Sequence, residues 1–67
     1  MIRIRLNGAE TALPATLTVA ELLAAQGFAG KRLAVERNGE IVPKSQHESV
    51  RVEADDRIEI VVAVGGG

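Results

Sequence analysis

The sequence has no cysteine, tryptophan or tyrosine, and only one phenylalanine, one histidine and two prolines in 67 residues. Without cysteine there is no disulfide, thiolate metal site, iron–sulfur cluster or cysteine nucleophile. Charge of one sign is not in excess either: eight basic residues face nine acidic ones, for a formal net charge of −1. No basic stripe is present of the kind that contacts phosphates, which argues against nucleic acid as a partner. No apolar run approaches the roughly 20 residues of a membrane-spanning helix, so no membrane role is expected. The opening Met1–Leu6 alternates arginine with aliphatics and does not form the apolar core of a signal peptide. The expectation is a soluble cytoplasmic protein.

A chain this short builds one domain, burying roughly 60% of its unfolded surface around a single core. Its composition is 46% hydrophobic, mostly alanine and valine. Such a core is made of small, branched aliphatics and belongs to a globular chain, not a disordered one.

Ile2, Ile4 and Leu6 alternate with Arg3 and Arg5, the period of a strand with one buried face. Asn7-Gly8 suits the positive-φ positions of a tight hairpin turn. A second strand, about Glu10 to Leu13, stops at Pro14, which cannot donate to a ladder. The period then changes. Thr18 and Glu21 have the spacing of a capping box, and Val19, Leu22 and Leu23 fall on one helical stripe. A helix over Val19–Gln26 is expected, with Gly27 as its left-handed cap. Leu33–Arg37 reads as a strand, Asn38-Gly39 as a second hairpin turn, and Glu40–Val42 as a short return strand ended by Pro43. Lys44–Ser49 is polar and expected to be looped; Val50–Glu53 is a short strand or an irregular approach to a turn at Asp55-Asp56. Arg57–Val64 is the last strand, with Ile58, Ile60 and Val62 on one face and Glu59, Val61 and Ala63 on the other.

One helix covers one face of such a sheet, giving two layers and an α+β class. The last strand is richest in branched aliphatics and belongs centrally, beside the first. The order is that of a β-grasp fold: a mixed sheet of four to five strands packed on one main helix. The expected core is Ile4, Leu6, Val19, Leu22, Leu23, Leu33, Val35, Ile58 and Ile60. Residues 1–64 form the domain and 65–67 a flexible glycine tail.

Reactive side chains are scarce. His47, beside Glu48, reads as a solvated loop residue, because a catalytic histidine needs an orienting partner and a pocket. Asp55-Asp56 reads as a turn, Ser45 and Ser49 have no nucleophile context, and Phe28 reads as core behind the helix cap. Arg3 and Arg5 read as exposed strand residues. Gly65-Gly66-Gly67 precedes no helix and is no phosphate loop. No catalytic residue of its own and no metal site is expected.

The terminal glycines are the unusual feature. A frayed end explains disorder but not the lack of side chains. A side-chain-free tail threads a narrow channel and presents its carboxylate to another protein's active site, about 10 Å away for three residues. A carboxylate is a poor electrophile until activated, so an adenylating partner is implied. Val61, Ala63 and Val64, aliphatics on or near the face away from the helix, are candidate partner-binding residues.

Three stretches together carry a resemblance to a known family: Ala34-Val35-Glu36-Arg37-Asn38-Gly39-Glu40-Ile41-Val42-Pro43, then Asp56-Arg57-Ile58-Glu59-Ile60-Val61, then Ala63-Val64-Gly65-Gly66-Gly67. Over essentially its whole length the chain resembles the ThiS family of bacterial sulfur carriers of thiamine biosynthesis. The small subunit of molybdopterin synthase also ends in Gly-Gly, but usually on a longer chain and without this hairpin. The resemblance implies a ubiquitin-like β-grasp fold and a reaction cycle at Gly67. An E1-like adenylyltransferase of the ThiF type uses ATP and magnesium to form an acyl-adenylate there. Sulfur from a cysteine desulfurase relay makes it a thiocarboxylate, and a thiazole synthase of the ThiG type takes that sulfur into the thiazole ring. Gly65 and Gly66 give the tail access to those active sites. The carrier itself binds no cofactor. Relatives commonly have glycine before the aspartate of the last turn; Asp55 stands there in this chain and tolerates left-handed backbone better than most residues. The alternatives are a ubiquitin-like modifier joined through Gly67 to lysines, a carrier like the molybdopterin-synthase small subunit, and a passive interaction module.

Overall fold

The computed structural model describes residues 1–63. Ile2–Leu6 (β1) and Ala9–Leu13 (β2) form an antiparallel hairpin about Asn7-Gly8, both at positive φ. The chain then passes through Leu17–Thr18 (β3) into a helix, Val19–Ala25 (α1). Leu33–Arg37 (β4) and Glu40–Val42 (β5) make the second hairpin, Lys44–Gln46 is a single 3₁₀ turn, Arg51–Val52 (β6) is a two-residue strand, and Arg57–Val62 (β7) closes the sheet. The strands order as β2-β1-β7-β4-β5. Only β1 and β7 run parallel; the other neighbours are antiparallel. This is the expected β-grasp, a mixed five-stranded sheet with its last strand in the middle.

The helix starts where the capping box places it. Thr18 Oγ1 accepts the Glu21 N–H at 3.1 Å, and Glu21 Oε1 accepts the Thr18 N–H at 2.8 Å. Two more of the free N–H groups of the first turn are taken by tertiary carbonyls: Val19 donates to Val50 and Ala20 to His47. The helix ends one residue earlier than expected, with Gln26 as its cap and Gly27 at φ +80°. Val19, Leu22 and Leu23 point into the sheet.

The core contains seven of the nine residues expected there and three others. Leu6 and Leu33 are only half-buried, because each lies at the end of its strand and packs against the core from its margin. Leu13, Val42 and Val52 are buried instead. Leu13 and Val42 each precede a proline, and that proline ends the ladder without turning the preceding side chain outward. Val42, Val35 and Ile60 lie side by side in the register of three adjacent strands. Val52 enters the core through a pairing that two-residue strands hide from any periodicity: β6 pairs with β3, Leu17 opposite Val52.

His47 is a correction. It is not a solvated loop residue but only 9% exposed. Its Nε2–H donates to the Val42 carbonyl at 3.1 Å, since a carbonyl only accepts, and its own carbonyl takes the Ala20 N–H. The histidine ties the 3₁₀ turn to the end of β5 and the start of α1. Phe28 is half-buried against the core, as expected.

Candidate functional site

Strand β7 carries the chain toward its C-terminus, and the two flanking hairpins hold it in place. Asn7 (φ 50°) and Asn38 (φ 52°) adopt the left-handed backbone of their turns. Both also reach across to β7. Asn7 donates its N–H to the Ile58 carbonyl at 2.9 Å and accepts the Ile60 N–H on Oδ1 at 2.7 Å. Its side chain therefore continues the pairing beyond Leu6, where β1 ends. Asn38 exchanges two bonds with the Arg57 backbone, each 2.8 Å, through its own N–H and its Oδ1.

The start of β7 is pinned by Asp56. The turn before it has Asp55 at φ 68°, its N–H on the Arg3 carbonyl, so aspartate does serve at the left-handed position. Asp56 is more than a turn residue. Its buried carboxylate accepts from Arg37 Nε at 2.6 Å, from the Glu53 N–H at 2.7 Å and from Asn38 Nδ2 at 3.0 Å. Burial by itself pushes this carboxyl upward. The hydrogen bonds from Arg37, Glu53 and Asn38, with the Arg37 charge, outweigh it and hold the group below the ordinary aspartate value.

Held this way, β7 sends alternate side chains to opposite faces. Ile58 and Ile60 are buried under α1's side of the sheet; Arg57, Glu59 and Val61 stand on the open face. Val61 is 63% exposed. Its register partner on β4 is Ala34, also exposed, so the two form an apolar step near the end of the sheet. Ile41, likewise 63% exposed, lies in the neighbouring row of the same face, opposite Glu36, which itself pairs with Glu59. Ala63 is exposed and donates its N–H to the Arg32 carbonyl at 2.9 Å, the last described tie between the strand and the body.

Of the candidate residues, Val61 and Ala63 are thus brought together on one exposed margin. Val64, Gly65, Gly66 and Gly67 lie outside the described residues. Ile41 and Ala34 were missed as members of the apolar margin. The signal was available in the Asn38-Gly39 turn, which sets the register and places Ile41 opposite Glu36 on the outer face. Among the described residues no three His, Asp or Glu side chains converge as a metal site, and no helix is long and apolar enough to cross a membrane.

Comparison with known proteins adds what the geometry leaves open. The family model described as the ThiS family matches residues 4–67. A thiazole synthase of Paramagnetospirillum magneticum is 44% identical over 66 residues, which cover 98% of this chain and 20% of that protein. The chain thus spans about a fifth of the length of that relative. The sulfur carrier protein ThiS of Bacillus subtilis is 44% identical over 52 residues, 78% of this chain and 79% of its own. Among solved structures, a thiamine biosynthesis protein (ThiS) from Geobacter metallireducens superposes with a TM-score of 0.86 at 29% identity, covering 98% of this chain and all of that one.

Proposed function

The chain belongs to the ThiS family, and from that premise we propose that it is a sulfur carrier for thiamine biosynthesis: a protein acted upon, not an enzyme. The observation that carries the reading is that the family match runs through Gly67, so the side-chain-free end is part of the shared pattern. The namesake carrier of Bacillus subtilis, similar over most of its length, supports it.

In this reading the Gly67 carboxylate attacks the α-phosphorus of ATP in the active site of an E1-like, ThiF-type enzyme, with magnesium on the phosphates. Pyrophosphate leaves and an acyl-adenylate forms. The mixed anhydride turns a poor electrophile into a good one. A persulfide supplied through a cysteine desulfurase relay then displaces AMP to give an acyl disulfide. A second thiol cleaves its S–S bond, leaving a thiocarboxylate on Gly67 and a disulfide between that thiol and the relay. Its sulfur passes to a thiazole synthase. Supporting that recipient, a segment like this chain occurs within proteins named thiazole synthase.

The body contributes position. Strand β7 is hydrogen-bonded on both sides, and Ala63 is tied to Arg32. Four residues then remain, spanning at most about 14 Å. Any enzyme that takes Gly67 into its active site must rest against the surfaces around Ala63. We assign Val61, Ala63 and Val64 to that contact, joined by Ala34 and Ile41.

Intact-mass analysis of protein purified from its own host tests the reading. A species with one oxygen exchanged for sulfur is the expected result. High-mass conjugates through the C-terminus would instead make the chain a protein modifier.

A further inference from the structure

On the other side of the tail root lies a groove that the carrier reading does not use. Its volume is about 500 Å³, and it runs between one side of α1 at Ala20 and Leu23, the loop from Phe28 to Leu33 and the 3₁₀ turn with the residues just after it. Leu23, Phe28 and Leu33 supply an apolar floor, and Lys31, Arg32 and Lys44, all exposed, stand at its rim. The other titratable groups that line it are His47 and Glu48. None of the three rim cations makes an ion pair among the described residues, where the two ion pairs are Arg3–Glu10 and Arg37–Asp56. Three of eight basic residues thus border one groove on a chain of net charge −1. A concave, low-dielectric surface focuses that positive potential. The groove also holds the chain's single aromatic side chain, a residue class enriched where interfaces bury apolar anchors.

We propose that this groove is a second docking surface for the enzyme that adenylates Gly67, occupied by an acidic segment of that enzyme carrying an apolar side chain. The inference rests on the carrier reading and extends it from the tail to the body. Reach makes the partner local. With at most about 14 Å of chain between Ala63 and Gly67, the enzyme must cover the neighbourhood of Ala63. The groove wall is part of that neighbourhood, because the Arg32 carbonyl accepts the Ala63 N–H. Charge makes the occupant acidic. The open sheet face on the opposite flank has a different character: Glu36 and Glu59 are directly opposed behind Val61, and Arg57 and its neighbour Arg5 stand further along the same face. A partner that straddles the tail root therefore meets a rim of cations, unpaired among the described residues, on one side and a face of mixed charge on the other. That arrangement fixes its orientation as well as its approach.

The test is ATP–pyrophosphate exchange by the cognate E1-like enzyme, with the intact carrier as varied substrate at low and moderate salt. Lys31→Glu/Lys44→Glu should raise the KM for the carrier by about tenfold, leave kcat within about twofold, and weaken the salt dependence of KM. Both lysines are exposed, so the melting temperature should not move. Arg3→Glu/Arg51→Glu makes the same change in net charge away from the groove and should raise KM by no more than about threefold. A KM near the unsubstituted value for the lysine pair, or an equal rise for both pairs, overturns the groove proposal and leaves the carrier reading standing. No exchange with the unsubstituted chain overturns both.

Discussion

Asp56 shows what a single residue contributes to placing the site. It is 6% exposed, yet its carboxylate has three donors, from a β4 arginine, a hairpin asparagine and a backbone N–H of its own turn. Replacing it with asparagine removes the charge that strengthens these bonds and sets an amide N–H₂ against donors. We expect a loss of about 2 kcal/mol at neutral pH, within the range for hydrogen bonds to charged groups. The pH dependence has a definite sign. The folded-state pKa lies below the unfolded value near 3.9. The stabilisation is therefore fully present above that unfolded value and is lost as pH falls through the folded one. Thermal melts from pH 7 down to strongly acidic solution should show the native protein losing its margin over Asp56→Asn. A margin that persists undiminished at low pH would mean that the carboxylate charge is not what holds the turn. The sequence identified Asp55-Asp56 as a turn, but not which aspartate is buried, because the donors come from Arg37 and Asn38, 19 and 18 positions away.

At the scale of elements, α1 is the piece most dependent on one contact surface. It is seven residues long and too short to persist alone. Its stability comes from the capping box and from Val19, Leu22 and Leu23 against the sheet. Leu23→Ala should cost about 2–5 kcal/mol, set against a total of about 3–10 kcal/mol for a domain of this length. A steep fall in melting temperature, with a partly unfolded population at 37 °C by circular dichroism, is the expected result; a melt like the parent's would show that Leu23 is not a core contact. The helix and the five strands of the main sheet were legible in sequence, because the helix and four of the strands repeat their own period over five or more residues and the three-residue β5 is framed by Asn38-Gly39 and Pro43. The β3–β6 pair was not legible, since two residues carry no period and the partners lie 33 or more positions apart. His47 was misread for the same reason: its neighbours in sequence are polar, and what buries it is the arrival of Val42 and the first turn of α1. Val61 was legible as outward-facing from alternation alone, whereas Ile41 needed the register of a second hairpin.

For the whole molecule, the carrier reading is testable in two independent halves, the described body and the C-terminal glycines. Every core residue and every strand pairing described lies before Ala63. Deleting Gly67 should therefore abolish adenylation while leaving the melting temperature unchanged. Gly66→Val should do the same, because a β-branched side chain restricts the backbone to negative φ and adds bulk inside any narrow channel. Val61→Asp belongs to the other half. It places a charge on an exposed apolar margin, so the fold should survive, the carboxylate should remain intact, and the defect should appear as weaker binding to the activating enzyme. ATP–pyrophosphate exchange over a range of carrier concentrations separates the two. Tail variants should give no exchange at any concentration, and Val61→Asp should recover its rate when the carrier is in excess. Adenylation of the Gly67 deletion at the parent's rate would remove the chemistry from the C-terminus. A fall of several degrees in its melting temperature would make the tail a structural element and favour a passive interaction module. If Val61→Asp failed to recover at high concentration although fully folded, the open margin would be needed after binding, at the step where the tail is held in the active site.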